Sequence, residues 1–200
     1  VNRDGLADVI VGAPCLSLAG SVRVFLGRQF AAGPTSAANA NWTATSASGR
    51  LGASVASAGD VDRDGDDDIL AGAPDGAGAA FLWGGDPSLV LASNVVTTTT
   101  TARWTLAIGG ADTNFGASVA GVGDFDGDGF ADFIVGGPGF ESSFGTDAGI
   151  AVVVRGAAFG PVVPSCPSTT GTAICGVAWA CFNRSRRSRT PWPAWRRPRR

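Results

Sequence analysis

The 200-residue chain contains no histidine, methionine or tyrosine, and no lysine either: all 15 basic residues are arginine. Glu141 is the single glutamate among 17 acids. Without histidine, imidazole general-base catalysis and imidazole-ligated metals are closed to this chain by itself. Without lysine or tyrosine as well, a nucleophile–base pair could be assembled only from carboxylates and arginine. Long apolar runs are also missing. No stretch of 18 uninterrupted apolar residues occurs, so no membrane-spanning helix is expected. The sequence opens on Val1 without the basic segment and apolar stretch of a leader, and so reads as cut at its start. At 44% hydrophobic and 16% charged, it is too apolar to be disordered throughout.

What the chain has in excess is glycine, 30 residues, and aspartate, which supplies every acid but one. Both are turn residues and poor helix formers. With abundant Val, Thr, Ala and Phe, they predict short strands joined by tight turns. Charge is divided unevenly. Residues 1–183 carry 7 arginines against all 17 acids, and residues 184–200 carry 8 arginines and no acid.

Internal repetition organises the first 160 residues. Leu51-Gly52-Ala53-Ser54-Val55-Ala56 precedes Gly59-Asp60-Val61-Asp62-Arg63-Asp64-Gly65. Sixty-four residues later, Phe115-Gly116-Ala117-Ser118-Val119-Ala120 precedes Gly123-Asp124-Phe125-Asp126-Gly127-Asp128-Gly129. After each acidic loop an apolar run ends in Gly12-Ala13-Pro14, Gly72-Ala73-Pro74 or Gly136-Gly137-Pro138. Further strand-like runs lie between glycines at 20–27, 78–84 and 149–156, and a later one carries Trp42-Thr43 or Trp104-Thr105. Four strand-like segments in about 60 residues is the unit of a β-propeller blade, whereas solenoid repeats run to roughly 20–45 residues. A single β-sandwich is disfavoured because the landmarks recur in one order. The predicted fold is all-β: a partial propeller of four-stranded antiparallel blades whose hairpin loops bind calcium. Its blades are a partial one over 1–50 and fuller ones over 51–114 and 115–160.

The acidic loops carry the chemistry. In the second repeat, carboxylates stand at the first, third, fifth and ninth places: Asp60, Asp62, Asp64 and Asp68. Asp124, Asp126, Asp128 and Asp132 repeat the pattern, and the first repeat keeps Asn2, Asp4 and Asp8 at its third, fifth and ninth places. Like charges so spaced repel unless a cation lies among them. Ca²⁺ accepts six to eight oxygens in flexible geometry, whereas Mg²⁺ demands a near-octahedral shell. Gly5, Gly65 and Gly129 fall at the sixth place, where the chain must turn sharply. The seventh place, Leu6, Asp66 or Phe130, would offer a backbone carbonyl, which explains its varied side chains. The twelfth places are Val11, Ala71 and Val135, so the bidentate acid that closes an EF-hand is missing. The candidate metal ligands are therefore Asn2, Asp4, Leu6 and Asp8 in the first loop. They are Asp60, Asp62, Asp64, Asp66 and Asp68 in the second, and Asp124, Asp126, Asp128, Phe130 and Asp132 in the third. As side chains, Asp66 and Asp67 read as solvated surface charges.

The Phe115-Gly116 and Gly72-Ala73-Pro74 landmarks, flanking an acidic loop, resemble FG-GAP repeats, the blades of the integrin α-subunit head and of many bacterial surface proteins. The resemblance spans about residues 1–156. It departs where Leu51-Gly52 replaces Phe-Gly and where Gly136-Gly137-Pro138 replaces Gly-Ala-Pro. Family propellers close with seven blades, of which this chain would supply less than half. The resemblance implies a non-enzymatic, calcium-stabilised segment of an extracellular or cell-surface protein. Its role would be adhesion, or recognition of a protein or glycan ligand through propeller loops. The alternative is the accessory propeller of a secreted enzyme such as a polysaccharide lyase or phospholipase.

Weaker features complete the reading. Trp42 and Trp104 recur in phase and are expected between blades. Asn41-Trp42-Thr43 and Asn183-Arg184-Ser185 match the glycosylation sequon. Cys15 stands alone in a loop and Cys166, Cys175 and Cys181 lack zinc-site spacing; one or two disulfides are open to them, in a pairing that the spacing does not give. Residues 161–200 read as a Pro/Arg-rich tail, disordered or translated from a non-native frame, with no nucleic-acid partner expected despite Trp192 and Trp195.

Overall fold

The computed structural model describes residues 1–15, 20–27, 40–85, 95–109, 112–141, 148–157 and 177–180. Its strands in chain order are β1 (Val9–Ala13), β2 (Ser21–Phe25), β3 (Trp42–Thr45), β4 (Ser54–Gly59), β5 (Asp68–Ala73) and β6 (Ala79–Trp83). They continue as β7 (Val95–Thr98), β8 (Trp104–Leu106), β9 (Ser118–Gly123), β10 (Asp132–Gly137), β11 (Ile150–Val154) and β12 (Val177–Ala180). Three four-stranded sheets result. The second, β4-β5-β6-β8, and the third, β9-β10-β11-β12, are antiparallel throughout. These are four-stranded blades as expected, and the runs between glycines at 78–84 and 149–156 form their third strands.

Two departures are informative. The first sheet has β7 as its fourth strand, parallel to β3, with Trp42 opposite Val95 and Thr45 opposite Thr98. That strand comes from the segment between β6 and β8 of the second blade, so it ties two blades through backbone pairing. Its β-branched sequence, Val-Val-Thr-Thr, suits a strand. Nothing local names its partner. The second departure is β12, which pairs with β11 inside the stretch read as tail, so the third blade extends past residue 160. Strand β11 takes β12 on the edge that β10 leaves open. The Asn183 sequon, the three later cysteines and the arginine-rich end lie outside the described residues. Asn41, the other sequon residue, is buried in the folded blade, and its Oδ1 accepts the Leu26 N–H at 3.0 Å.

The core lies between the sheets. Strand β5 is buried at all six positions because it runs through the middle blade, covered on both faces. Its alternation sends Ile69 and Ala71 into the layer shared with the first blade, beside Val22, Val24, Trp42 and Leu51. Leu70 points the other way, into the layer with Phe115, Phe133, Val135 and Val152. Trp42 meets Trp83 edge-on at 5.4 Å and Trp104 lies 5.9 Å from Phe133, so both in-phase tryptophans pack between blades. Val9 and Val11, on the face of β1 turned away from this core, stay about 40% exposed.

Backbone contact sets how closely the blades approach. Leu51 and Phe115 are fully buried between sheets, and the glycine after each has φ near +87°. Gly52 lies against Gly12, and the Gly116 carbonyl lies against Gly72, closer than any Cβ would permit. The Phe-Gly step of one blade thus seats on the Gly-Ala-Pro step of the blade before. Ser54 Oγ donates to the Gly116 carbonyl at 2.8 Å and fixes that seat.

Gly116→Ala should therefore cost roughly 3 kcal/mol, combining a strained left-handed alanine with overpacking. Gly76 has a similar φ of +71° but open space around it. Gly76→Ala should cost only about 1 kcal/mol. Equal costs in urea unfolding would refute this account of blade spacing.

Candidate metal centres

The second loop closes the β4–β5 hairpin and the third closes β9–β10. Each ends in a bulge that pairs a left-handed glycine with the ninth-place aspartate, Gly59 with Asp68 and Gly123 with Asp132. Between these ends the loops wind through Asx turns. The Asp64 N–H donates to Asp62 Oδ1 at 3.0 Å and the Asp66 N–H to Asp64 Oδ1 at 2.9 Å. In the third loop, the Asp128 N–H donates to Asp126 Oδ1 at 3.2 Å and the Phe130 N–H to Asp128 Oδ1 at 2.9 Å. The first loop does the same through Asn2 and Asp4, whose side chains bond at 3.3 Å. This winding turns alternate side chains inward.

One oxygen from each of Asp60, Asp62 and Asp64 lies within 4.8 Å of the others, and the same holds for Asp124, Asp126 and Asp128. The first, third and fifth places thus converge as the spacing predicts. The ninth place is held differently. Asp68 is fully buried, and its two oxygens accept the N–H groups of Val61 at 3.0 Å and Gly85 at 2.9 Å. Asp132 likewise accepts from Phe125 at 2.7 Å and Gly156 at 2.8 Å, and Asp8 accepts from Gly27 at 3.0 Å. In each blade this carboxylate locks the loop to the residue pair that follows the next strand. Those hydrogen bonds hold the buried hairpin end in place.

The two trios differ in quality. The Asp60 carbonyl accepts the Ala131 N–H at 3.0 Å and the Val61 carbonyl accepts the Ala157 N–H at 3.1 Å, so the second loop is buttressed by the third blade. Asp62 is accordingly buried, and Asp60 Oδ1 is a buried oxygen without a hydrogen-bond partner. An ionised oxygen in that position is costly unless a cation satisfies it. The third loop is exposed over residues 124–129, and only its ninth-place Asp132 is buried. Asp124 there turns both oxygens onto its own loop, accepting from Gly127 at 2.7 Å and Gly129 at 2.8 Å. The all-oxygen donor set suits a hard cation, and the orphaned Asp60 oxygen makes the second loop the better prepared of the two.

The seventh places show what sequence reading missed. Asp66 is buried, contrary to its reading as a solvated charge, while Asp67 is exposed. Adjacent loops stack so that the fourth place of one reaches the sixth and seventh places of the next. Arg3 donates to the Asp64 carbonyl at 2.6 Å and to the Gly65 carbonyl, and its Nε lies 3.6 Å from Asp66 Oδ1. Arg63, one repeat on, donates to the Gly129 carbonyl at 2.6 Å and lies 4.6 Å above the Phe130 ring. Both arginines have positive φ, 52° and 62°. Their recurrence at the fourth place was visible in the sequence, but the partner loop was not. Leu6, at the first loop's seventh place, is exposed.

Burial and charge partners shift the acids in opposite directions. Burial pushes the Asp62 carboxyl up, with the Asp64 N–H and the Arg103 guanidinium drawing it back. Burial also lifts Asp68 to about 7, against the pull of the Gly85 and Val61 amides. Asp126 is lowered by its hydrogen bond from Arg155.

Short, largely antiparallel sheets stacked face to face, with an Asp-rich hairpin loop closing successive blades at one edge, define consecutive blades of a β-propeller. Residues 1–71 match the FG-GAP-like repeat family and residues 115–154 the FG-GAP repeat family. Integrin alpha-5 of Xenopus laevis is 33% identical over 157 residues, covering 72% of this chain and 14% of that protein. Human integrin alpha-IIb is 32% identical over 205 residues, covering 88% of this chain and 18% of that protein. The mouse integrin alpha-IIb is 33% identical over 159 residues. The chain belongs to the FG-GAP repeat, integrin α-like family, and spans less than a fifth of the length of these relatives.

The Asp68 shift predicts a pH dependence. Its folded pKa of about 7 lies above the roughly 3.9 of an unfolded aspartate, so the folded chain holds this proton more tightly. The resulting stabilisation is complete below about pH 4 and is lost as pH rises through 7. Asp126, shifted down, contributes stability above the unfolded value and loses it as pH falls. In EGTA, Asp68→Asn should flatten the decline in unfolding free energy between pH 4 and 7. An unchanged slope would assign that proton to another group.

Proposed function

We propose that this chain is a calcium-binding propeller segment of an extracellular or cell-surface adhesion protein, non-enzymatic in itself, whose loops recognise a protein or glycan ligand. The observation that carries the metal reading is the Asp60 oxygen, buried without a partner among the converging carboxylates of the second loop. The recurrence of that trio one blade on supports it. Asp60, Asp62 and Asp64 with the Asp66 carbonyl would hold one ion, and Asp124, Asp126 and Asp128 with the Phe130 carbonyl a second. The ion supplies positive charge to a hairpin whose carboxylates repel. The protein's own part is to wind the loop through its Asx turns and anchor it by Asp68 or Asp132. Bound calcium would therefore be structural, stiffening one edge of each blade. Kinship with the integrin alpha chains supports the adhesion reading. No helix among the described residues is long and apolar enough to cross a membrane.

Calorimetric titration of the whole chain should find two calcium ions. A cation that binds only the folded state stabilises it by about 2.7 kcal/mol at a free concentration 100 times Kd, so Tm should climb with calcium. Asp64→Ala should abolish the tighter site and Asp128→Ala the weaker one. Identical melts in EGTA and millimolar calcium would overturn the metal reading.

A further inference from the structure

Both acidic trios are already visited by a positive charge. Arg103 Nη1 pairs with Asp62 Oδ2, and lies 3.6 Å from Asp64 Oδ2. Arg155 Nη1 pairs with Asp126 Oδ2 at 2.7 Å. Both guanidinium groups therefore address the third-place carboxylate, yet they come from different points of the blade. Arg103 stands directly before the outer strand β8, and Arg155 directly after the third strand β11.

The counterpart of Arg155 in the second blade is Gly84, since each follows the third strand and precedes the glycine that bonds the ninth-place aspartate. A Cβ at Gly84 would stand 2.6 Å from Arg103 Nη1 and 3.4 Å from its Cζ. The missing side chain is the space that Arg103 fills. The first blade supplies an internal control. Its third place is neutral Asn2, and the two positions that could deliver a cation hold Leu26 and Asn41. Asn41 turns instead to the Leu26 amide. Within one chain, a guanidinium is present at both loops whose third place is charged, by two separate routes, and both routes are neutral in the blade whose third place is neutral.

We propose that Arg103 and Arg155 are tethered counter-ions of the two acidic loops, which hold the third-place aspartates in the metal-free chain and compete with the divalent cation for them. This rests on the calcium reading above. Physically, an ion entering the trio must displace or share a carboxylate that is already charge-paired, so part of its binding energy goes into releasing the arginine. The same pairing lets the loops form before any ion arrives. The consequence is a site of deliberately moderate affinity, suited to a compartment where the cation is abundant.

The test is calcium calorimetry and EGTA melting on the whole chain, with Arg103→Gln, Arg155→Gln and, as a control on a distant surface pair, Arg50→Gln. Arg103→Gln should tighten one site about tenfold, leave the other unchanged, and lower Tm in EGTA. Arg155→Gln should do the same at the other site, and Arg50→Gln should move neither affinity. If Arg103→Gln fails to fold in EGTA, Arg103→Gln combined with Asp62→Asn copies the neutral arrangement of the first blade and should restore folding; no restoration counts against the proposal. Equal or weaker calcium binding in both single variants, with binding intact in the parent chain, would overturn the counter-ion role and leave the calcium reading standing. No binding in the parent or in either variant would overturn both.

Discussion

Everything in this molecule depends on how closely one sheet can lie against the next. The approach is set by backbone against backbone, Gly116 on Gly72 and Gly52 on Gly12, where no side chain fits. That contact brings Phe115 and Leu51 into the layers between blades, where both are fully buried. It also brings neighbouring acidic loops near enough to share hydrogen bonds. A Phe-Gly step and a Gly-Ala-Pro step are thus the two halves of one joint, repeated along the chain. Their similar separations, 40 residues from Gly12 to Gly52 and 44 from Gly72 to Gly116, follow from the length of chain needed to complete a blade between them.

The joint makes each loop dependent on its neighbours. The second loop is hydrogen-bonded by the third blade and clasped by Arg3 of the first, and its acids are the more buried. The third loop is clasped by Arg63 from one side, and Asp124, Asp126 and Asp128 are exposed. Identical motifs therefore differ as sites. A buried oxygen left without a donor is a strong demand for a cation, whereas an exposed trio that bonds its own amides is already partly satisfied. Stacking also decides exposure. Asp66 carries the same chemical group as Asp67 beside it, yet Asp66 turns under the neighbouring loop toward Arg3 while Asp67 meets water.

Aspartate serves three purposes in these loops. At the first, third and fifth places it converges with its fellows. At the ninth it is sealed into the hairpin end, holding two backbone amides. At the seventh, in one blade only, it answers an arginine from the loop before. Every cationic side chain is an arginine, whose planar fork can serve carbonyls, carboxylates and an aromatic face alike. Arg3, Arg63, Arg103 and Arg155 use all three.

The sequence alone determined the repeat, the strands between glycines, and the convergence of three carboxylates in each fuller loop. These follow from local rules: the period of two along a strand, the turning of Asp and Gly, and the alternation of a wound loop. The family, too, was legible in the Phe-Gly and Gly-Ala-Pro steps. Only the tertiary structure decided which partner β7 would take, that β12 would complete the third blade, and that Asp66 would be buried. It alone showed Asp68 and Asp132 binding amides, and set arginines on the third-place carboxylates. Each of these is a pairing across tens of residues, and a local pattern specifies what a segment can form without specifying what it will meet. Gly84 shows the limit most plainly: its meaning is the room it leaves for Arg103, which stands nineteen residues further along the chain.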